Sequence, residues 1–178
     1  MTTIRRATML SLAAAASLAV VPASAQDGPQ SFNAFAVVAA NGTIVRAAEK
    51  QFMVVATLTG PFFIETDEGP IQSGRVSCAA SVKLDQVNRS QAGNGACTFT
   101  AADGATAWGE WDCKGYELLG CRGTFKLAGG TARLEGASGE GTMIWRPSAV
   151  ELKKQLDGAT LDNATGILLW RDFKLKGR

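Results

Sequence analysis

The chain contains no histidine among its 178 residues. Histidine is the commonest general base and a frequent metal ligand, so its absence excludes Ser-His-Asp and Cys-His mechanisms and histidine-ligated zinc, copper or haem sites. Any catalysis would have to use carboxylates, lysines, the single tyrosine or backbone groups. We therefore expect no cofactor, and we favour a protein that is not an enzyme.

The chain also lacks an excess of charge of one sign. Its 18 basic and 16 acidic residues give a formal net charge of +2. Arg5 and Arg6 account for this excess, because the first 25 residues contain no acidic residue. The remaining domain is formally neutral and has no basic run, so we expect neither nucleic acid nor an anionic membrane as a partner.

Residues 1–25 have the pattern of a cleaved secretory signal peptide. The two arginines precede an apolar stretch from Met9 to Val21, and Ala23-Ser24-Ala25 provides a small-x-small cleavage site. The apolar stretch is too short to span a bilayer comfortably, although a retained membrane anchor is the alternative. We therefore predict a single domain at 26–178, located in the bacterial periplasm or secreted, with no membrane span after cleavage.

Four cysteines, an even number, lie in this domain. No two have the CxxC spacing of a zinc ribbon or a thioredoxin-like redox site. In an oxidising compartment the default is two disulfide bonds, for which three pairings are possible. Cys78 and Cys97 flank one polar connection, and Cys113 and Cys121 flank a short one that contains glycine. This arrangement favours the pairs Cys78–Cys97 and Cys113–Cys121.

Apolar and polar residues alternate with a period of two as far as about Arg146, and glycine-rich breaks interrupt this pattern. The pattern predicts antiparallel strands. The clearest strand is Val76 to Leu84, and Asp103-Gly104 predicts a hairpin. Gly60-Pro61 predicts a break between two shorter strands. An outer-membrane barrel is the alternative, but such barrels need aromatic girdles, and this chain has one tyrosine and a basic tail.

The pattern changes after Pro147. Ser148 to Glu151 resembles a capping box, and it predicts a short helix that extends to Leu156 and ends at Gly158. Ala164 to Lys176 predicts a closing strand, with a partner-binding helix as the alternative. The sequence therefore predicts an all-β fold, a small antiparallel soluble β-barrel of about eight strands with a short helix before the last strand.

Glycines are concentrated between residues 109 and 141. Gly129 and Gly130 predict a tight turn with positive φ, while Gly136 and Gly139 suit bends or bulges in a curved wall. A phosphate-binding glycine loop is the alternative. Such a loop needs a following helix, but the residues after Gly141 have a strand pattern. We therefore interpret these four glycines as structural.

The segment from Gly123 to Gly139 resembles the GGTG-plus-glycine signature of the allene oxide cyclase-like and dirigent-like β-barrels. It is most similar to their small secreted bacterial members, whose function is largely unassigned. The resemblance extends over about Gly95 to Trp145, and the chain departs from it at Ala132 and Leu134. In the plant cyclases, the barrel holds an oxidised fatty acid in an apolar lumen, and a carboxylate and a water assist its rearrangement. The resemblance implies an apolar cavity for one small ligand.

Several aromatic and acidic residues are candidates for a site. A carboxylate between indoles can have a raised pKa, but Glu110 and Trp111 face opposite sides of a strand, so we expect Trp111 in the core and Glu110 in solvent. Trp145 and Trp170 face either a lumen or the core. The acidic turn at Asp67 lacks the spacing of a calcium loop, and we predict no metal site.

The predicted function is binding of a small apolar or amphipathic ligand without catalysis. The alternatives are an isomerase or cyclase of the allene oxide cyclase type that uses carboxylate chemistry, and a protein-interaction or inhibitor module. The three candidate functions predict different interiors of the barrel. An apolar cavity without a buried carboxylate favours binding, a buried Asp or Glu at the cavity favours the enzyme, and a filled interior with exposed apolar loops favours interaction. The oligomeric state stays open.

Overall fold

A computed structural model describes residues 30–176, and the signal peptide predicted at 1–25 lies outside this range. One short helix, α1 (Ala149–Gln155), interrupts a series of strands, and a single 3₁₀ turn covers Ala132–Leu134. The strands are β1 (Gln30–Ala48), β2 (Gln51–Thr66), β3 (Gly69–Asp85), β4 (Ser90–Ala101), β5 (Thr106–Tyr116), β6 (Gly120–Gly130), β7 (Ser138–Pro147) and β8 (Thr160–Lys176).

The eight strands form one closed antiparallel barrel. Each strand pairs with the next along the chain, and β8 pairs with β1. Closure leaves no unpaired strand edge. The predicted all-β fold with eight antiparallel strands and a short helix before the last strand is therefore confirmed. Within residues 30–176, no helix is long and apolar enough to cross a membrane.

Buried and exposed residues alternate along the strands, so that one set faces the barrel interior and the other faces its outer surface. In β3, Val76, Cys78 and Leu84 are buried, whereas Ser77 and Lys83 between them are exposed. Successive side chains of a strand point to opposite faces, so each strand contributes every second residue to the interior. The core of the protein is therefore the filling of the barrel.

The break expected in β2 at Gly60 and Pro61 is wrong, because the strand runs through both residues. A Cβ atom at Gly60 would lie 1.9 Å from the carbonyl oxygen of Val37 in β1, so glycine lets these two strands approach closely. Pro61 pairs with Arg75, and the register shifts immediately afterwards. The sequence signal thus marks a close approach and a bulge, not a turn.

The glycines after β5 have different roles from those predicted. The positive φ expected at Gly129 and Gly130 is wrong, because both residues lie in β6 without it. The left-handed residues of the following connection are Ala132, with φ of 52°, and Gly136, with φ of 73°. Gly139 lies in β7, where a Cβ atom would come within 2.9 Å of the ring of Phe173. Close packing therefore explains why Gly129, Gly130 and Gly139 are glycine, whereas positive φ explains Gly136.

The prediction of two disulfide bonds is confirmed. Cys78 of β3 is bonded to Cys97, which lies directly opposite in β4. Cys113 of β5 is bonded to Cys121 of β6, one diagonal position away. All four side chains are buried in the barrel. Two such bonds fit an oxidising location outside the cytoplasm.

The seam between β8 and β1 contains two irregularities, each with an asparagine of β1. The side-chain oxygen of Asn33 accepts a hydrogen bond from the Asp172 backbone N–H at 3.0 Å. The side-chain oxygen of Asn41 accepts one from the Asn163 N–H at 2.9 Å. Asp172 and Asn163 both have positive φ. These paired bulges bend the wall where the barrel closes.

Candidate functional site

A layer of aromatic side chains crosses the interior of the barrel. It consists of one residue from every second strand, namely Phe62, Phe99, Phe125 and Trp170. Their rings pack edge to face, with centroid distances from 4.9 Å for Phe62 and Phe99 to 6.1 Å for Phe125 and Trp170. Aromatic pairs favour this arrangement. The layer separates two cavities that share no lining residue.

Inward-facing glycines make room for the large rings in this narrow barrel. The ring of Phe125 lies over Gly109 of the neighbouring strand, where a Cβ atom would be 2.6 Å from Cζ. Trp111 covers Gly93 and Gly95 in the same way, with its ring 2.8 Å from a Cβ at Gly95. Glycine in a strand often marks such close packing. The high glycine content thus permits aromatic residues to fill the lumen.

The larger cavity lies between the aromatic layer and the end of the barrel that carries the β6–β7 connection, and we call it the loop-end cavity. The centre of a water molecule can occupy about 410 Å³ of it. Its lining includes the exposed residues Thr100 and Arg133, so the cavity reaches solvent. The lining residues are Phe32, Phe62, Ile64, Ser73, Phe99, Thr100, Ala101, Ala107, Phe125, Leu127, Arg133, Leu134, Ala137, Trp170, Phe173 and Leu175.

The loop-end cavity is apolar except at a few points. No acidic residue lines it, and Arg133 is its only charged residue. The Nε of Arg133 donates a hydrogen bond to Oδ2 of Asp103 at 2.5 Å, and this bond is the main reason why the pKa of Asp103 is lowered. Trp170 lines the inner end of the cavity, and its buried indole nitrogen has no hydrogen-bond partner among residues 30–176. The cavity therefore combines an aromatic floor with the ion pair of Arg133 and Asp103 at its mouth.

The smaller cavity lies between the aromatic layer and α1, and we call it the helix-end cavity. The centre of a water molecule can occupy about 50 Å³ of it. Leu152 and Leu156, in and just after α1, are buried at this end of the barrel. Small side chains on four strands leave the space, namely Ala40, Ala56, Ala80 and Ala164.

Gln91 gives the helix-end cavity an unusual polar group. It lines the cavity, is 4% exposed, and is the only buried polar residue of the part of the chain that the structure describes. Neither its Oε1 nor its Nε2 has a hydrogen-bond partner among residues 30–176, and the same is true of the Nε1 of Trp111, another residue that lines this cavity. An unpaired buried amide costs about 1–3 kcal/mol. Such groups are rare in proteins.

The helix α1 is fastened to β8 by two side chains. The Glu151 carboxylate accepts hydrogen bonds from the backbone N–H of Thr165 at 2.7 Å and from its hydroxyl at 2.8 Å. These bonds lower the pKa of Glu151. The Gln155 amide pairs with the backbone of Asp162. The capping box predicted here is wrong, since Ser148 makes no side-chain cap bond to the helix.

The candidate residues from the sequence occupy distinct environments. Trp111 is buried while Glu110 is exposed, as the alternation predicts. Trp145 and Trp170 both line a cavity, so both face the lumen. Glu65 forms an ion pair with Arg171 at 2.6 Å on the barrel wall. Between residues 30 and 176, no group of three or more acidic or cysteine residues could hold a metal ion.

Gln91 is the site residue that the sequence reasoning missed. Counting back by twos from Cys97 along β4 passes Gly95 and Gly93 and places Gln91 on the inner face. That alternation was available in the sequence. The glycines between them carry no hydrophobic signal, however, so the inner face of β4 is not evident from apolar residues.

Comparison of the chain with protein-family models, with curated proteins and with solved structures found no match. The relation to the allene oxide cyclase-like barrels therefore stays a prediction based on the glycine-rich segment.

Proposed function

We propose that the protein binds one small apolar or amphipathic molecule in the loop-end cavity. The observation that carries this proposal is an apolar space of about 410 Å³ that reaches solvent. Small-molecule sites in proteins are mostly apolar clefts of about 300–1,000 Å³ with a few polar groups. An eight-stranded barrel can hold one such ligand. Both the size and the lining of the cavity support this function.

The polar groups at the mouth of the cavity suggest how the ligand would lie. Burial of each CH₂ group against Phe99, Phe125 and their neighbours contributes about 0.8 kcal/mol. A polar end would lie at the mouth beside the ion pair of Arg133 and Asp103. This polarity favours a ligand with an apolar body and an oxygen-containing end.

The composition of the cavity favours binding over carboxylate catalysis. A cyclase or isomerase of the allene oxide cyclase type would need an acidic side chain at the ligand. None of the residues that line the loop-end cavity is acidic. Gln91, the only buried polar residue within 30–176, lies on the other side of the aromatic layer. We therefore place the enzyme second.

An exported location agrees with this function, and we propose it for the domain at 26–178 after removal of residues 1–25. The two disulfide bonds support it, because such bonds persist in oxidising compartments. In the periplasm or outside the cell, a closed barrel with an apolar interior would protect an apolar molecule from water.

A protein-interaction module is the other candidate, and one observation favours it. At the α1 end of the barrel, Val87 and Leu119 are exposed in turns, Tyr116 at the end of β5 and Val150 in α1. The β3–β4 and β5–β6 turns touch each other through a hydrogen bond from Glu117 N–H to the Arg89 carbonyl oxygen. Clustered exposed apolar side chains often mark protein contacts. This surface lies at the opposite end from the loop-end cavity, so the two functions can be tested separately.

Titration with a fluorescent apolar probe, displaced by dodecanoate, tests ligand binding. We expect saturable binding of 1-anilinonaphthalene-8-sulfonate with one site per chain. Ala107→Phe would fill the cavity from its inner wall and lower the affinity at least tenfold, because Ala107 is buried and lines it. Ala96→Phe is the matched control, since Ala96 is exposed on the outer face of β4. Equal affinity in both variants, or no saturable binding to the wild type, would contradict the proposal.

A further inference from the structure

The outer wall of the barrel has a charged part and an uncharged part. Charged side chains such as Glu110 and Arg146 are exposed on the wall formed by β5, β6 and β7. In contrast, residues 35–45 of β1, 53–63 of β2 and 165–169 of β8 include no charged residue. These three strands are neighbours, because β1 pairs with both β2 and β8. We call the outer surface of these three segments the uncharged wall.

The uncharged wall has exposed apolar side chains that adjoin one another. Val37 of β1 and Ile167, its cross-strand neighbour in β8, are 48% and 42% exposed. The rings of Phe35 and Phe63 stack beside them with their centroids 5.0 Å apart, and Leu169 lies opposite Phe35. An apolar surface that continues over several strands often marks a protein contact.

The size of the uncharged wall limits the contact that it can make. Strands lie about 4.8 Å apart and rise about 3.4 Å per residue, so the three segments cover about 440 Å². Two such faces would together bury about 900 Å², before the relief of the side chains is added, and specific interfaces begin near 1,000 Å². The wall is therefore large enough for a weak, reversible contact and too small for an obligate one.

The absence of charge favours a second copy of this chain as the partner. When the uncharged wall packs against its own copy, it brings no like charges together and buries no unpaired charge. A two-fold contact uses the same surface on both copies, so this surface must be complementary to itself. Antiparallel packing meets this condition, because it places the bulky end at Phe35 against the smaller side chains at Thr43 and Val45 of the second copy.

Two arginines at the sides of the uncharged wall also favour the antiparallel arrangement. Arg75 of β3 lies opposite Pro61, and Arg146 of β7 lies opposite Ile167. If the strands of the two copies ran in the same direction, Arg75 of one copy would approach Arg146 of the other. Antiparallel strands bring Arg75 to the level of Ser81 instead, since Thr43, Val55 and Ser81 lie opposite one another on β1, β2 and β3.

We infer that the protein forms a weak two-fold dimer through the uncharged wall, with β1 of one copy packed antiparallel to β1 of the other. Facing sheets in proteins pack about 10 Å apart. None of the outward residues of the uncharged wall lines the loop-end cavity, so the dimer leaves the proposed ligand site open. This inference does not depend on the proposed function.

Sedimentation velocity at increasing protein concentration tests the dimer. We expect the average mass to rise from one chain towards two, with a dissociation constant on the order of 100 μM. Val37→Glu would weaken association at least tenfold, because dimer formation would bury two unpaired carboxylates. Ile167→Glu serves as a second variant if the first folds poorly. Val87→Glu is the matched control, since Val87 is 64% exposed in the β3–β4 turn, away from the uncharged wall.

Nuclear Overhauser effects between labelled and unlabelled chains test the arrangement of the two copies. We expect contacts between the Phe35 ring of one copy and the Val45 methyl groups of the other, whereas contacts between the two Phe35 rings would contradict antiparallel packing. A wild-type protein that stays monomeric well above the expected dissociation constant would overturn the dimer. Association that is lost in Val87→Glu and retained in Val37→Glu would overturn it as well. The apolar probe would bind to Val37→Glu as to the wild type, so a failed probe titration would contradict only the proposed function.

Discussion

The loop-end and helix-end cavities are built by the same eight strands, yet they differ in size and chemistry. The loop-end cavity is large, is lined by aromatic rings and has its charged residue at the mouth. The helix-end cavity is small, and its lining includes four alanines and the buried Gln91. In a barrel, each strand contributes only every second residue to the lumen, so a few side-chain sizes at one level decide whether space remains.

The two halves also differ in how they are closed. Both disulfide bonds lie on the helix side of the aromatic layer, since Cys97 precedes Phe99 by one inward position and Cys113–Cys121 joins strands next to the β5–β6 turn. The leucines of α1 cover the same side. In contrast, the described elements around the mouth of the loop-end cavity are a 3₁₀ turn, two hairpins and the outer ends of β1 and β8. Covalent stabilisation and the proposed binding site therefore occupy different halves.

The largest expected effect comes from breaking the layer between the cavities. Trp170 is 2% exposed and contacts three phenylalanines of the lumen. We expect Trp170→Ala to lower the free energy of unfolding by about 3–5 kcal/mol, measured by urea denaturation. Trp108→Ala, on the outer face, is the control and would cost much less. Equal losses in the two variants would show that the aromatic layer does not organise the interior.

An intermediate effect is expected from removing each disulfide bond. The chain-entropy model gives about 3 kcal/mol for the separation of 19 residues between Cys78 and Cys97, and about 2.5 kcal/mol for the separation of 8 residues between Cys113 and Cys121. Replacing each pair with alanines would show this order in urea denaturation. Affinity for the probe at the loop end would stay within about twofold, provided that the variants remain folded. If a folded variant lost more than about twofold in affinity for the probe, the disulfide bonds would contribute to ligand binding as well as to stability.

The smallest expected effect concerns the cover of the helix-end cavity. The pKa of Glu151 lies below its ordinary value of 4.5, because the backbone N–H and hydroxyl of Thr165 donate hydrogen bonds to its carboxylate. A lowered folded-state pKa means that the stabilisation is present above the unfolded pKa and is lost as pH falls through the folded pKa. Hydrogen exchange of the α1 amides, corrected for intrinsic rates, would therefore show protection that decreases below about pH 4.5.

Glu151→Gln is the control for this pH dependence. A glutamine does not ionise, so protection of α1 in this variant would be lower at neutral pH and would change little on acidification. Asp85 and Asp103 also have lowered pKa values, so acid weakens other turns as well. For this reason the comparison uses the local protection of α1. If the protection of α1 decreased equally on acidification in both proteins, groups other than Glu151 would be responsible for the decrease.

Much of the fold could be predicted because it depends on patterns that are local in the sequence. The alternation from Val76 to Leu84 places the inner face of β3, and Asp103-Gly104 predicts the β4–β5 hairpin, where Gly104 has a φ of 83°. The composition change after Pro147 predicts α1 and the closing strand. Each of these signals acts through the residues next to it, so no knowledge of the tertiary structure is required.

The remaining features could not be predicted because they depend on residues that are distant in the sequence. Gly60 suggested a turn, but it faces Val37 of another strand. Gly129 and Gly130 also suggested a turn. Glycine occurs both where φ is positive and where two segments pack closely, and the sequence alone does not distinguish these two cases. The aromatic layer combines residues from four strands between Phe62 and Trp170. Gln91 becomes unusual only when the absence of a partner inside the closed barrel is known.

The central claim is that the loop-end cavity holds a small apolar or amphipathic molecule. The most direct test is native mass spectrometry of the protein purified from its own host, compared with the Ala107→Phe variant purified in the same way. We predict an additional mass of one small organic molecule on the wild type that is absent from the variant. The claim would be contradicted if neither protein carries such a mass, or if both carry the same one.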